Sequence, residues 1–66
     1  MSVAKVIEIT SGSKKSFQDA VEDGIKRASK TVNNIQGAWV NEMNVVVNGD
    51  QVKEYRVNMK VTFILD

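Results

Sequence analysis

The chain has 66 residues, with 9 Lys and Arg against 8 Asp and Glu, and it contains neither Cys nor His. This composition excludes disulfides and zinc sites, and the near-neutral charge lacks the basic surplus that neutralises the phosphates of nucleic acid. The length predicts one domain over residues 1–66. Its core should be small, because a domain of this size buries only about 60% of the surface that its unfolded chain exposes. Self-association is therefore the expected route to stability.

No part of the sequence resembles a membrane span or a secretion signal. The first ten residues alternate polar and apolar side chains, and no stretch approaches the roughly 20 apolar residues of a spanning helix. We therefore expect a cytoplasmic protein with no membrane partner. The lack of His and Cys also removes the usual nucleophile–base pairs. No residue is assigned a catalytic role, and an enzyme is not expected.

The first two predicted elements are a strand and a helix. Residues 5–10 are rich in β-branched side chains and predict a strand, which the Ser-Gly-Ser run that follows should end. Residues 14–34 carry apolar side chains at offsets of three and four, which indicates one face of a helix, with Ser13 or Ser16 as the N-cap. Gly24 lies on this apolar stripe, where it costs about 1 kcal/mol relative to Ala. Close approach of a sheet to the helix would explain it.

Two further strands are predicted at 38–47 and 52–65, joined by a tight turn at Asn48-Gly49. The last strand alternates apolar and polar residues, which favours one face on a core. The middle strand alternates less clearly and leaves two alternatives. Either a β-bulge near 42–44 exchanges its faces, or both faces are covered, one by the helix and one by a neighbouring subunit. The predicted fold class is α+β, a three-stranded antiparallel sheet folded against one long helix in the order β-α-β-β.

Trp39 and Arg56 are the candidate ligand-binding residues. Trp39 is the only tryptophan, and both residues lie well back from the predicted turn on adjacent strands. An indole beside a guanidinium would form a stacking platform with a hydrogen-bonding edge. The alternative, which the pattern alone slightly favours, is a core tryptophan and a solvated arginine. Metal binding is open only to hard cations such as Ca²⁺ or Mg²⁺, without an assigned ligand set.

Over essentially its whole length the chain resembles the dodecins. The resemblance rests on KVIEITSGS, SFQDAVEDGIKRASKTVNNI and EYRVNMKVTFIL. It implies a short curved sheet wrapped around one long helix, with twelve copies forming a hollow homododecamer. It also implies that flavins (FMN, FAD or riboflavin) bind as stacked pairs between tryptophans at subunit contacts, for storage rather than turnover.

Two positions depart from the flavin-binding dodecins. The position of their stacking tryptophan is Gly37 here, and Trp39 follows two residues later on the same strand face, about 6–7 Å further along. The position of their flavin-binding glutamine is Arg56, which only donates hydrogen bonds. This pattern resembles a subgroup of dodecins that lack the flavin-stacking tryptophan, some of which are described as calcium-binding.

The resemblance therefore leaves two hypotheses for the function. In the first, an oligomer binds flavin, with Trp39 stacking near the Gly37 position and Arg56 contacting the ring edge or phosphate. In the second, the dodecin shell no longer binds flavin and is a structural assembly or a binder of divalent cations.

Overall fold

The computed structural model describes residues 3–65, which form three strands and one helix. Their bounds are β1, Val3–Ser13; α1, Phe17–Ala28; β2, Ile35–Asn48; and β3, Gln51–Leu65. Both strand pairings are antiparallel, and the spatial order is β1-β3-β2, so that β3 lies in the middle of an open sheet. The predicted β-α-β-β order and the three-stranded antiparallel sheet are confirmed.

The first strand is longer than predicted. Residues 11–13 continue β1 instead of ending it, because they pair with residues 55–57 of β3. The side chain of Ser13 is buried, and its hydroxyl donates to the carboxylate of Asp19 at 2.7 Å. The Ser-Gly-Ser run therefore joins the sheet to the start of α1.

The helix begins where predicted and ends earlier. Ser16 is the N-cap, and its hydroxyl accepts a hydrogen bond from the amide of Asp19 at 2.9 Å. The predicted end at residue 34 is wrong, because α1 stops at Ala28. The hydroxyls of Ser29 and Thr31 donate to carbonyls of the last turn, at 2.7 and 3.3 Å. The amides of Lys30 and Thr31 donate three residues back, to Arg27 and Ala28, so the last turn tightens as the helix ends. No helix within residues 3–65 has both the length and the apolar character needed to cross a bilayer.

The core lies between α1 and the centre of the sheet. Its fully buried hydrophobic side chains are Ala20, Val57, Met59 and Val61. Ile9, Phe17, Val21 and Ile25 pack around this centre while remaining partly exposed. At one end the rings of Phe17 and Tyr55 meet edge to face, with centroids 5.1 Å apart. The core is therefore as small as the chain length predicts.

Gly24 marks the closest approach of the helix to the sheet. A Cβ at this position would lie 2.9 Å from Met59 Cε and 2.9 Å from Ser11 Cβ. Because Cβ atoms do not approach other carbons so closely, only glycine fits without movement of β1 or β3. The predicted reason for a glycine on the apolar stripe is confirmed.

Gly24→Ala should lower the free energy of unfolding by up to about 2 kcal/mol, because overpacking a tight core costs about 1–3 kcal/mol and the gain in helix propensity returns about 1. Urea or thermal unfolding at one protein concentration measures the change. Gly37→Ala is the matched control, since a Cβ there meets nothing within 4 Å and should change stability by about 0.5 kcal/mol or less. A rise in stability of about 1 kcal/mol, the full gain in helix propensity with no packing cost, would contradict the close packing.

A β-bulge divides the middle strand. The register between β2 and β3 shifts between Val40 and Glu42, so Asn41 is the extra residue. From Gly37 to the bulge, odd-numbered residues of β2 face away from α1, and after it even-numbered residues do so. The bulge alternative is confirmed, one residue before the predicted segment. The outer face, meaning the sheet surface turned away from α1, then includes Gly37, Trp39, Glu42 and Asn44 of β2, and Arg56, Asn58, Lys60 and Thr62 of β3.

The helix leaves one side of β2 uncovered. α1 packs on β1 and β3, whereas Val40, Met43 and Val45 lie beyond it on the same side of the sheet. These three side chains, called here the apolar strip, are 45%, 56% and 40% exposed. Each lies opposite a core-facing residue of β3. The strip therefore extends the core surface sideways without a cover within the chain.

The hairpin between β2 and β3 is confirmed, with its turn one residue later than predicted. Asn48 still pairs with Gln51, and Gly49 and Asp50 occupy the turn. Gly49 has a φ of 68°, a conformation in which glycine avoids the steric penalty of a side chain.

Candidate functional site

Trp39 lies on the outer face of the sheet. Its partner across the strands is Lys60, which alternates with the buried Met59 and Val61 of β3. The side chain of Trp39 is 61% exposed. The interpretation as a core tryptophan is therefore wrong, and the chain presents an indole on its surface.

Trp39 is the last of three side chains that form a row across the three strands of the sheet. Glu8 of β1, Lys60 of β3 and Trp39 of β2 lie opposite one another. Side chains opposite each other have Cβ atoms about 4.5–5.5 Å apart. Glu8 and Lys60 form no ion pair; among residues 3–65 the structure has the pair between Arg56 and Glu54. The indole thus has an unpaired ammonium group as its cross-strand neighbour.

Open space lies next to Trp39 on the same face. Gly37 is opposite Thr62, and on this face of the sheet their pair is next to that of Trp39 and Lys60. A Cβ at Gly37 would meet no atom within 4 Å. The Thr62 hydroxyl is buried and has no hydrogen-bond partner within the described chain. The position at which the resemblance implies a stacking tryptophan therefore carries no side chain in this chain, and it lies on the same face as Trp39.

Arg56 also lies on the outer face, but not beside Trp39. Its cross-strand neighbours are Asn44 and Gly12. Four residues of β3 separate it from Lys60, a distance of about 13 Å along the strand. The predicted platform of an indole beside this guanidinium is therefore not formed within one chain.

An ion pair orients Arg56. Its Nε donates to a carboxylate oxygen of Glu54 on the same strand. This carboxylate lies above Gly12, where a Cβ would come within 2.8 Å of Glu54 Cδ. Half of the Arg56 side chain remains exposed. Because Gly12 has no side chain, the Glu54 carboxylate has space to lie above it and bind the Arg56 guanidinium. The sequence pattern does not reveal this ion pair.

A band of hydrogen bonds separates Trp39 from Arg56. The amide of Asn41 donates to Asn58 Oδ1 at 3.0 Å, and Asn58 Nδ2 donates to Thr10 Oγ1 at 3.2 Å. The band connects all three strands, and its first member is the bulge residue. It fixes polar groups between the two candidate residues.

A cleft of about 360 Å³ lies elsewhere, between β1 and the second half of α1. Residues 9–12 line one wall, and Asp23, Gly24, Arg27 and Ala28 line the other. Its volume is at the lower end of the range for ligand pockets. Sequence reasoning missed this cleft; Gly24, next to Asp23 and three residues before Arg27, was the available signal. The structure brings no three acidic side chains of residues 3–65 together as a metal site.

Comparison with known proteins identifies the relatives of this fold. The family model described as Dodecin matches residues 3–66. Calcium dodecin of Mycobacterium tuberculosis is 35% identical over 63 residues, covering 96% of this chain and 89% of that protein. Dodecin from Streptomyces davaonensis superposes with a TM-score of 0.95 at 34% identity, covering 98% of this chain and 96% of that one.

A further solved structure is the M. tuberculosis calcium dodecin, described as a calcium-chelating antigen with a calcium-binding site. It superposes with a TM-score of 0.85 at 31% identity and covers 97% of this chain and 91% of that one. The similarity in both sequence and structure extends over nearly the whole chain.

Proposed function

The chain belongs to the dodecin family, and from this premise we propose that it is an oligomeric binding protein, not an enzyme, that sequesters flavin between its subunits. The observation that carries the proposal is the exposed indole of Trp39 beside the open space at Gly37. A large exposed aromatic surface on a rigid strand suits the stacking of a planar ring. FMN, FAD and riboflavin all offer such a ring.

The proposed assembly is a homododecamer of single-domain subunits, each comprising residues 1–66. Its support is the contrast between a small core and the apolar strip. The strip continues the surface of the core beyond the helix, with Met43 56% exposed. Burying apolar area contributes roughly 25 cal/mol per Å². A second copy over the strip supplies stability that one chain of 7.3 kDa lacks.

Within this assembly Trp39 and Arg56 act from different subunits. About 13 Å of strand separates the two side chains in one chain, so they do not face the same ring edge there. We assign the stacking surface to Trp39 and the contact with the ring edge to an Arg56 that a neighbouring subunit contributes. The ion pair with Glu54 holds this guanidinium in a defined direction.

A second candidate function is that of a structural shell that binds divalent cations. The 35% identity with a calcium dodecin and the glycine at position 37 favour it. Glu8 and Glu42 both lie on the outer face and offer the oxygen ligands that Ca²⁺ prefers. Because residues 3–65 of one chain hold no acidic group of three, such a site requires carboxylates from more than one subunit.

A pair of titrations distinguishes the two functions. Purified protein is added to FMN and to riboflavin while flavin fluorescence is followed, and calorimetry with CaCl₂ and MgCl₂ is run on the same sample. Saturable quenching of flavin fluorescence is expected, because a ring stacked on an indole loses its emission. Saturable calcium binding without flavin quenching would replace the first function by the second.

A further inference from the structure

We propose that Lys60 makes the Trp39 site selective for phosphorylated flavins, so that FMN binds more tightly than riboflavin. The inference rests on the proposed flavin binding and concerns which flavin is bound. FMN and riboflavin share the same ring and differ in the terminal phosphate. Stacking on Trp39 contributes equally to the affinity for both flavins, because both have the same ring. Any difference in affinity therefore requires a charged group that reaches the phosphate.

Lys60 is the charged residue placed to do this. It lies directly opposite Trp39 on the central strand, and its side chain is exposed. The expected Cβ separation of about 5 Å leaves the ammonium group within reach of a substituent on a stacked ring. No ion pair within residues 3–65 engages Lys60, although Glu8 lies opposite it on the other side. Its charge is therefore available to a ligand.

Three carboxylates lie on the outer face; Glu54 is paired with Arg56, and the other two oppose this attraction. Glu8 is separated from Trp39 by the width of β3, about 10 Å, which exceeds the screening length of about 8 Å at physiological ionic strength. Glu42 lies further along β2, across the bulge and opposite Asn58. Lys60 is nearer to the indole than either carboxylate. A phosphate attracts the ammonium group at the end of its long, flexible side chain and repels the side chains of Glu8 and Glu42. The attraction therefore dominates for a ligand stacked on Trp39.

The test compares the dissociation constants of FMN and riboflavin by fluorescence titration of the intact assembly. For the unmodified protein, FMN should bind about five- to tenfold more tightly, which corresponds to one screened ion contact. Lys60→Gln should bring the ratio of the two constants close to one. Raising the salt concentration should weaken FMN binding and reduce the same ratio.

Lys53→Gln is the matched control, since it removes the same charge from an exposed position near the end of the hairpin. It should leave the FMN-to-riboflavin ratio unchanged. Equal affinity for both flavins in the unmodified protein, or an equal effect of the two substitutions on the ratio, would overturn the role of Lys60 while leaving flavin binding intact. Failure of both flavins to bind would instead overturn the proposed function, and the inference with it.

Discussion

Trp39→Ala should weaken flavin binding roughly 5- to 150-fold, because stacking of a planar ring on an aromatic side chain contributes about 1–3 kcal/mol. The measurement is the same fluorescence titration. Trp39→Phe keeps a smaller ring and should give an intermediate affinity. Because the indole is 61% exposed in the chain, neither substitution removes a core contact, and the subunit should retain its secondary structure by circular dichroism.

A variant that carries its only tryptophan at position 37 supplies the control for this result. Gly37 lies on the same face, and a side chain there meets nothing within 4 Å. Adding Gly37→Trp to Trp39→Ala should restore quenching, since it returns an indole to the same surface one pair along the strand. Size-exclusion chromatography of each variant separates a lost stacking surface from a lost assembly. Full flavin affinity in an intact Trp39→Ala assembly would contradict the role given to this residue.

Met43→Glu should have the largest effect on assembly and stability. Met43 lies in the middle of the apolar strip, and a neighbouring subunit that covers the strip would bury the new carboxylate without a partner. Burying an unpaired charge costs several kcal/mol. The proposed dodecamer, about twelve times the mass of the 7.3 kDa chain, should dissociate into smaller species and unfold at a lower temperature. Native mass spectrometry and thermal unfolding measure the two effects.

Gln51→Glu is the control for charge in this experiment. It adds the same negative charge at an exposed polar position where β3 begins, and it should leave the particle mass unchanged. An unchanged particle mass for Met43→Glu as well would show that the strip lies outside every subunit contact. The proposed role of the strip in assembly would then be wrong.

Local patterns in the sequence predicted most of the fold. Ser16 as N-cap, the hairpin near Gly49 and the close approach at Gly24 each depend on a few neighbouring residues. The end of the helix was missed because Val32 and Ile35 continue the helical spacing beyond Ala28. The last turn instead tightens, with the amides of Lys30 and Thr31 bonded three residues back, and Asn34 then takes a positive φ. Such a change of turn leaves no periodic signal.

The site depends on the register between neighbouring strands, which the residue pattern of a single strand does not show. Trp39 and Arg56 were correctly placed on adjacent strands, but their separation depends on the register and on the bulge at Asn41. A shift of one residue in a strand exchanges its faces and changes every cross-strand neighbour. For the same reason Lys60 was not identified beside Trp39. The pattern of one strand does not show which residue of the next strand lies opposite.

The central position of β3 determines when the subunit folds. β3 is synthesised after β1, α1 and β2, yet both other strands pair only with it. The contact between Ile7 and Val61 joins residues from nearly opposite ends of the chain, and closing such long loops slows folding. Until β3 leaves the ribosome, the apolar faces of α1 and β1 have no sheet to cover them. The tertiary structure therefore cannot form before β3 has been synthesised, and these faces stay open to intermolecular contact until then.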